Sequence, residues 1–484
     1  MSQPTTQSVP DAAPTPAAIA VPFAAIVLAM LPAVLDQTIL ATALPVIAGD
    51  LGRVTDVSWV VTAYVVAAAA TTPLWGKLGD RHGLKRLLEI ALGTFVVSSA
   101  LCGAAQDITQ LVVLRMAQGV AAGGLMTLAM AAVGDLVAPR ERGRYQGYIA
   151  ATFAVATIVG PLIGGVLVDH ASWRWVFYVN LPIGIAALAG LHRTLPASDP
   201  QRSGAPLDAL GAALLAAATT ALMLTCIWGG ERYAWGSATI LALVAATVAL
   251  AGALVLRERR AADPIVPLAM LRARVVAVAV AVLFLATAAL FAVTVFVPLF
   301  LQTTTGASPT LSGRSITRSG RYKRFPIAGL ALMTTGLIVL AAVAGDPSQA
   351  ATGAGLAVFG LGFGMVTQIL VIAVQNNVDR RQLGVATAAT GFFRALGGAV
   401  GAATLGAVFA AQAGAHASDA VAGALRADVI DGARAVFVVG AVLAALALAI
   451  VLALPEAPLR TREQARGGEG EPSRRERPLA QARS

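Results

Sequence analysis

Charged residues are scarce in this 484-residue chain, and that scarcity argues against a water-soluble protein. Asp, Glu, Lys and Arg together make up only 12% of the residues, whereas about 25% is usual for soluble domains. Hydrophobic residues make up 57% of the chain, and the mean hydropathy is +0.76. These residues are gathered in long runs, and about 20 apolar residues are enough for a helix to cross a bilayer. The composition therefore predicts an all-α protein that spans a membrane many times.

Cysteine and histidine are also scarce, which argues against several kinds of chemistry. Cys102 and Cys226 are the only cysteines, and both lie within apolar runs, so we interpret them as small core residues rather than a disulfide or metal framework. The four histidines lie in loops or near the ends of apolar runs. No metal-ligand spacing, nucleophile elbow or phosphate-binding loop is present. We therefore expect neither an enzyme nor a bound cofactor or metal.

Thirteen apolar runs are long enough to cross a membrane. They fall into a first half of six spans within 18–191, two central spans within 208–256, and a second half within 275–455. The central spans carry no membrane-embedded charge, so we do not expect them to carry substrate chemistry. The remaining segments are polar or basic: a disordered cytoplasmic tail at 1–17, a cytoplasmic linker at 192–207, a cytoplasmic surface segment at 257–274 and a basic cytoplasmic tail at 456–484.

Positive charge alternates along the connections between the first nine spans. The loops at 76–86, 138–144, 192–202 and 257–274 are basic, and the loops between them carry few cations. Lys and Arg are concentrated in cytoplasmic loops of membrane proteins, so the N-terminus is predicted to lie in the cytoplasm. The same pattern explains the net charge of +10 without a nucleic-acid partner.

The alternation fails at "SPTLSGRSITRSGRYKRF", residues 308–325. This stretch begins as an external polar turn and ends as a strongly basic loop, with no apolar run between the two parts. Its "GRSITRSGRYK", starting at Gly313, aligns without gaps with "GKLGDRHGLKR", starting at Gly76. A whole apolar helix precedes the first copy, and only a polar turn precedes the second. We therefore predict that one span of the second half is missing near residue 313.

Two alternatives to this prediction remain open. The first is a genuine thirteen-span protein in which the stretch forms a re-entrant loop. The second is a chain in which every span after residue 325 is inverted, so that the basic loop and the basic C-terminal tail lie outside the cell. The second alternative conflicts with the distribution of positive charge.

Two of the charged residues inside apolar spans are of particular interest. "LDQTILATALP" places Asp36 in the first span, and "RMAQGVAAGG" places Arg115 in the fourth. A charge within a span is costly and usually functional, and burial disfavours the ionised form of a carboxylic acid, which suits Asp36 to bind and release a proton. Asp36 could instead cap a helix at the outer interface, and Arg115 could extend toward that interface.

A third stretch, "ATIVGPLIGGVL" at 156–167, combines small residues with a proline inside the fifth span. Small residues let neighbouring helices approach closely in a membrane, and a proline within a helix removes one backbone hydrogen bond and bends it. The residues of interest are Gly160, Pro161, Gly164 and Gly165.

Together with the basic loop at 76–86, these stretches resemble the signatures of the major facilitator superfamily, and within it the fourteen-span drug:proton antiporter branch. The resemblance covers about residues 18–455 and implies two six-helix halves plus two inserted central helices. It implies that Asp36 and Arg115 couple transport to protons, and that "GPLIGG" marks an exporter rather than an importer. It also implies a cytoplasmic gating loop, formed by Gly76, Asp80, Arg81, Gly83 and Arg86.

The function implied by the resemblance is efflux across the cell membrane by alternating access. The expected substrates are small, largely apolar or cationic compounds such as antibiotics, and the energy source is the proton gradient, with no cofactor. The expected partners are the substrate, protons and the lipid bilayer. An importer or facilitator of the same fold remains an alternative, as does a transporter that the missing helix has made defective.

Overall fold

Helices form nearly all of the computed structural model, which describes residues 16–51, 54–137, 141–197, 206–294, 323–345, 348–412 and 426–455. The first half contains α1 (Pro16–Leu51), α2 (Val54–His82), α3 (Leu84–Gly103), α4 (Ile108–Leu136), α5 (Arg142–His170), α6 (Trp175–Tyr178) and α7 (Asn180–Thr194). The centre contains α8 (Ala209–Trp228), α9 (Ala238–Glu258) and α10 (Leu268–Arg272). The second half contains α11 (Arg274–Thr294), α12 (Arg324–Val343), α13 (Gln349–Asn377), a 3-10 turn (Arg380–Gln382), α14 (Leu383–Gln412) and α15 (Arg426–Leu452).

Within the described ranges, thirteen helical segments are long and apolar enough to cross a membrane, with α6 and α7 forming one of them. This confirms the predicted all-α, multi-span fold. Several helices extend beyond the apolar runs, because helical hydrogen bonding continues where the chain leaves the hydrocarbon. The segment boundaries shift accordingly: α1 begins at Pro16, inside the predicted tail, α7 continues to Thr194, inside the predicted linker, and α9 ends at Glu258.

The two halves share one packing plan. In the first half, α1 packs against α5 and α7, and α3 packs against α4 and α7. In the second half, α11 packs against α14 and α15, and α12 packs against α13 and α15. The helices α11, α12, α13, α14 and α15 therefore correspond to α1, α3, α4, α5 and α7. Among the described residues, no helix of the second half corresponds to α2.

Two lysines at equivalent places support this correspondence. Lys85, at the start of α3, donates hydrogen bonds from Nζ to the carbonyls of His192 and Leu195 at the end of α7, at 2.8 and 2.7 Å. Lys323, just before α12, donates in the same way to the carbonyl of Leu452 at the end of α15, at 3.1 Å. Cations near the C-terminus of a helix satisfy carbonyls that have no partner within the helix.

The place that α2 occupies in the first half has no described occupant in the second. Gly119 and Gly123 are the twelfth and sixteenth residues of α4, and a β-carbon at either would overlap the backbone of α2. Gly360 and Gly364 are the twelfth and sixteenth residues of α13. No described residue lies within 4 Å of a β-carbon built at either position. The second half therefore keeps the glycine surface for a helix like α2 without a described helix against it.

The helices after residue 325 are not inverted. Gly397 and Gly401 of α14 lie against Phe284 and Ala288 of α11, so these two helices are parallel. Short connections make α12, α13 and α14 alternate in direction, so α12 is parallel to α14 and also to α11. The end of α11 and the start of α12 therefore lie at opposite ends of the bundle. The predicted missing helix and the re-entrant alternative both fall on residues 295–322, outside the described ranges.

Candidate coupling site, gate and central cavity

Asp36 and Arg115 meet in the interior of the first half. Their side chains are 0% and 1% exposed and form an ion pair between α1 and α4. Arg115 also donates from Nη1 to Oε1 of Gln118 at 2.7 Å and from Nε to the carbonyl of Val60 at 3.1 Å. Gln118 in turn donates from Nε2 to Oδ1 of Asp36 at 2.9 Å. Asp36 is therefore fully buried, and the guanidinium that lies against it is bound on several sides.

Two polar side chains from other helices complete this cluster. Asn180, the first residue of α7, donates from Nδ2 to Oδ1 of Asp36 at 3.4 Å and to Oγ of Ser99 on α3 at 3.0 Å. The Ser99 hydroxyl donates to the carbonyl of Phe177 at 2.9 Å. Side chains from four helices of the first half thus form one buried hydrogen-bond network, in which Oδ1 of Asn180 has no partner among the described residues.

The geometry decides between the alternatives that the sequence left open for these two residues. Asp36 lies inside α1 rather than at its end, and Arg115 is buried rather than extended toward the surface. Sequence patterns do not indicate Ser99, Asn180 or Tyr64, whose ring centroid lies 4.2 Å from the Arg115 guanidinium carbon. A single polar residue in an apolar span is a weak signal when its partner lies on a distant helix.

The predicted gating loop at 76–86 is mostly helical, which corrects the prediction of a loop. The helix α2 continues to His82 and α3 begins at Leu84, so Gly83 alone makes the turn. Gly83 adopts φ 92°, a conformation that glycine reaches without the strain other residues meet. Gly76 has a different role, because a β-carbon there would lie 2.5 Å from Cβ of Ala388 and from the carbonyl oxygen of Gly384. It allows α2 and α14 to touch.

Asp80 binds the N-terminal end of α14. Its Oδ1 accepts a hydrogen bond from the backbone N–H of Gly384 at 2.7 Å, and its Oδ2 accepts one from Val385 at 2.9 Å. The first N–H groups of a helix have no partners within the helix, and the helix dipole favours a negative charge there. Asp80 therefore links the first half to the second at this end of the bundle, which we call the gate end.

The cations of the same stretch bind elsewhere. Lys77 and Arg81 both pair with Asp263 in the segment before α10, with 3.6 Å between Arg81 Nη1 and Asp263 Oδ2. Arg86 is exposed at the start of α3 and makes neither of these contacts. The stretch thus combines one link between the halves, through Asp80, with a separate link to the surface segment.

A second link between the halves lies at the gate end. Gln375, near the end of α13, donates from Nε2 to the carbonyl of Met130 on α4 at 3.2 Å and to the hydroxyl of Thr387 at 3.1 Å. A β-carbon at Gly134 would lie 3.0 Å from the Gln375 amide. The halves are therefore in contact at the gate end through α2 and α14 and also through α4 and α13.

The "GPLIGG" stretch packs directly on the stretch that contains Asp36. A β-carbon at Gly160 would overlap the side chain of Thr38, and one at Gly164 would overlap that of Thr42. Pro161 is exposed, and no described residue lies within 4 Å of a β-carbon at Gly165. Two of the four predicted residues therefore position α1 against α5, and the other two face away from that contact.

A cavity of about 1530 Å³ lies between the two halves. Helices of both halves line it, mainly with apolar and small side chains, and its aromatic side chains include Tyr64, Phe153, Trp235, Phe291 and Phe363. The α8 helix and the turn after it also line the cavity, and the expectation that the central spans carry no substrate chemistry stays a prediction. Tyr64 connects the buried cluster to this space, because its ring lies over the Arg115 guanidinium and also lines the cavity.

Comparison with known proteins agrees with this architecture. The sequence profile of the Major Facilitator Superfamily matches residues 26–402. The chain belongs to the Major Facilitator Superfamily. Like other superfamily members, it has the fold of XylE: the structure of that proton:xylose symporter superposes with a TM-score of 0.64 at 13% identity, covering 93% of this chain and 99% of XylE. At this identity the likeness concerns the fold alone.

Two bacterial superfamily members are similar in sequence. An uncharacterized MFS-type transporter of Mycobacterium tuberculosis is 40% identical over 406 residues, which cover 80% of this chain and 59% of that protein. The chain therefore spans only about three fifths of the length of this relative. The multidrug transporter protein MdtP of Bacillus subtilis is 34% identical over 406 residues, which cover 80% of this chain and 75% of MdtP.

Proposed function

We propose that this protein is a proton-coupled exporter of small, largely apolar compounds in the cell membrane, of the fourteen-span drug:proton antiporter type. The observation that carries the proposal is the buried Asp36–Arg115 pair, which lies against Tyr64 at the wall of a large cavity. An ionisable pair within a membrane span is costly to keep unless it has a function. The name of MdtP as a multidrug transporter supports export, and the resemblance of "GPLIGG" to exporters favours it over import.

The proposed cycle follows from the contacts at the gate end. With the N-terminus in the cytoplasm, the gate end is cytoplasmic, so the halves are closed toward the cytoplasm and the cavity extends outward to the α8–α9 turn. A proton arriving from outside would neutralise Asp36 and weaken its attraction to Arg115. A ligand shifts a conformational equilibrium only through its different affinity for the two states. In the proposed cycle the proton is that ligand, and it shifts the equilibrium between the state closed toward the cytoplasm and the state open to it.

One observation favours a second candidate, a transporter of reduced activity. The glycine surface of α13 at Gly360 and Gly364 has no described helix against it, although its counterpart on α4 holds α2. Without that helix the cavity would be less well enclosed on the side of α5 and α13, and export would be slow. This candidate keeps the site and the mechanism but predicts low turnover.

Everted membrane vesicles test the proposed function. We expect a subset of a panel of dyes and antibiotics to release protons from energised vesicles that contain this protein, and to release none from vesicles without it. The proposal fails if no compound in the panel causes proton release while immunoblotting shows the protein in the membrane. Slow but protein-dependent release would favour the second candidate.

A further inference from the structure

Arg394 is a cation that faces the central cavity from α14. It lines the cavity together with Thr390, Gly391 and Gly398. The glycine pairs place it in the fold: Gly397 of α14 packs on α11 as Gly160 of α5 packs on α1. Arg394 and Thr157 each lie three residues before these glycines, and both line the cavity. The second half therefore has a guanidinium where the first half has a hydroxyl.

No described residue forms an ion pair or hydrogen bond with the Arg394 side chain. Residues 295–322, which lie outside the described ranges, contain no aspartate or glutamate. Among the described residues, Glu231 is the one carboxylate that lines the cavity, and it is exposed in the α8–α9 turn. Arg115, by contrast, has a complete set of partners. A cation within a membrane span ordinarily has a partner, so the partner of Arg394 is to be sought outside the protein.

The surroundings of Arg394 define what that partner would be. A guanidinium binds carboxylate, sulfonate and phosphate groups through paired hydrogen bonds. Phe291 lies close by, because a β-carbon at Gly398 would meet its ring at 2.9 Å, and Phe153 and Phe363 also line the cavity. A ligand would match both features of the cavity if its anionic group lay at Arg394 and its apolar or aromatic atoms lay against these rings.

We propose that Arg394 binds the oxyanion group of the transported compound, so that the preferred substrates are amphipathic organic anions or zwitterions rather than cations. This inference rests on the proposed function of export through this cavity. Binding itself requires no proton gradient, so it can be tested whether or not transport is proton-coupled. An anionic lipid headgroup offers the same chemistry, and the experiment distinguishes the two sources.

The test compares two probes that differ only in one anionic group. Anilinonaphthalene sulfonate and its uncharged parent, phenylnaphthylamine, are titrated against the purified protein in nanodiscs of zwitterionic lipid, with protein-free discs as the background. Arg394→Gln removes the cation, and Arg394→Lys keeps the charge without the paired donors. Arg272→Gln, at an exposed arginine of α10, is the matched control for loss of a positive charge. Thermal unfolding checks that each variant is folded.

We expect Arg394→Gln to weaken binding of the sulfonate about ten- to a hundredfold, the usual effect of losing a hydrogen bond to a charged group, and to leave the uncharged probe unchanged. Arg394→Lys should be intermediate, and Arg272→Gln should match the unsubstituted protein. Equal losses for both probes, or no loss for the sulfonate, would overturn the proposal. If phosphatidylglycerol in the disc competes with the sulfonate only when Arg394 is present, a lipid headgroup uses the same oxyanion site; without such competition, the site takes the soluble anion alone.

Discussion

At the scale of single residues, Asp36 accepts hydrogen bonds from Arg115, Gln118 and Asn180, all buried in the first half. Bringing two charges out of water costs roughly what their attraction returns, so a buried ion pair adds little net stability, but removing one partner typically costs about 3–5 kcal/mol. A contribution to stability therefore does not explain why this ion pair is present. Its position beside Tyr64 and the cavity gives it a functional interpretation.

Replacing Asp36 by asparagine tests that interpretation. Asp36→Asn should abolish accumulation of substrate against a gradient, because asparagine cannot take up a proton, and should lower the free energy of unfolding by a few kcal/mol because Arg115 is left without its counterion. Substrate accumulation in energised everted vesicles and thermal unfolding of purified protein measure the two effects. Asp50→Asn is the control, since Asp50 is an exposed carboxylate on the same helix that pairs with Arg174. Accumulation that persists in Asp36→Asn would remove Asp36 from the coupling mechanism.

Asp80 gives the second prediction at this scale. Asp80→Asn should slow export several-fold without changing the order of preference among substrates, because it weakens two charge-assisted hydrogen bonds at the gate end, away from the cavity. Such bonds contribute about 1.5–3 kcal/mol each. Initial export rates for several substrates provide the measurement. Asp263→Asn, which removes only partly exposed ion pairs with Lys77 and Arg81, should have a much smaller effect. A changed substrate preference in Asp80→Asn would contradict a gating role.

The sequence indicates functional residues best where a charge stands in an apolar span. Asp36 and Arg115 are visible in this way, and the structure brings them together. Ser99 and Asn180 are not visible, because a hydroxyl or amide in a span costs far less than a charge and is common. Asn180 contacts Asp36 directly, whereas Ser99 contacts Gln118 and Asn180. These contacts join residues far apart in sequence, and only the packing of the helices brings them within hydrogen-bond distance.

At the scale of secondary-structure elements, the contact between α1 and α5 gives a matched pair of glycine substitutions. Gly160→Ala should destabilise the protein by about 1–3 kcal/mol, the usual cost of overpacking. The added methyl group would overlap Thr38 and push α5 away from α1, the helix that carries Asp36. Gly165→Ala should have little effect, since no described residue lies near its β-carbon. Thermal unfolding and export rates measure both variants, and similar losses in the two would show that this helix contact does not set the geometry.

Element boundaries were less predictable than element identity. Hydropathy locates the apolar part of each span, but α2 continues through the basic stretch to His82 and ends only where Gly83 turns the chain. The glycines of that stretch also look alike in sequence and differ in structure. Gly83 makes a turn, whereas Gly76 allows two helices to touch, and this second role depends on a helix from the other half of the chain.

At the scale of the whole molecule, the two halves are related helix by helix except at the place of α2. The repeat of the basic stretch in the sequence indicates this duplication, and the absence of an apolar run before the second copy indicates the exception. What the sequence does not decide is the direction of the helices that follow. The parallel packing of α11 with α14 decides it, because the contacts of Gly397 and Gly401 fix both helices in the same direction.

The glycine surface of α13, which has no described helix against it, can be tested by comparing the two halves. Gly123→Leu should unfold the protein or prevent its insertion, because α2 lies directly against that position, while Gly364→Leu should be tolerated, because no described residue is near it. Yield in the membrane and thermal unfolding provide the comparison. If Gly364→Leu is as damaging as Gly123→Leu, a segment or a partner already fills the place.

Adding a span where the sequence predicts that one is missing is the complementary experiment. Inserting about 20 apolar residues after Gly313, enough for one span, should increase the export rate, because a helix on the α13 surface would enclose the cavity. Gly364→Leu should then become harmful in the lengthened chain, because the new helix would meet the larger side chain. An insertion that leaves export unchanged, or a lengthened chain that tolerates Gly364→Leu, would show that the inserted span does not occupy this place.

Proton coupling through Asp36 is the central claim, and transport by the purified protein driven by a pH gradient alone tests it most directly. In proteoliposomes with an acidic interior and no other energy source, the unsubstituted protein with its gate end outward should accumulate substrate inside, and collapse of the gradient by a protonophore should release it. Asp36→Asn proteoliposomes of equal protein content should show only equilibration. Accumulation by the unsubstituted protein that survives the protonophore, or equal gradient-driven accumulation by Asp36→Asn, would contradict the account.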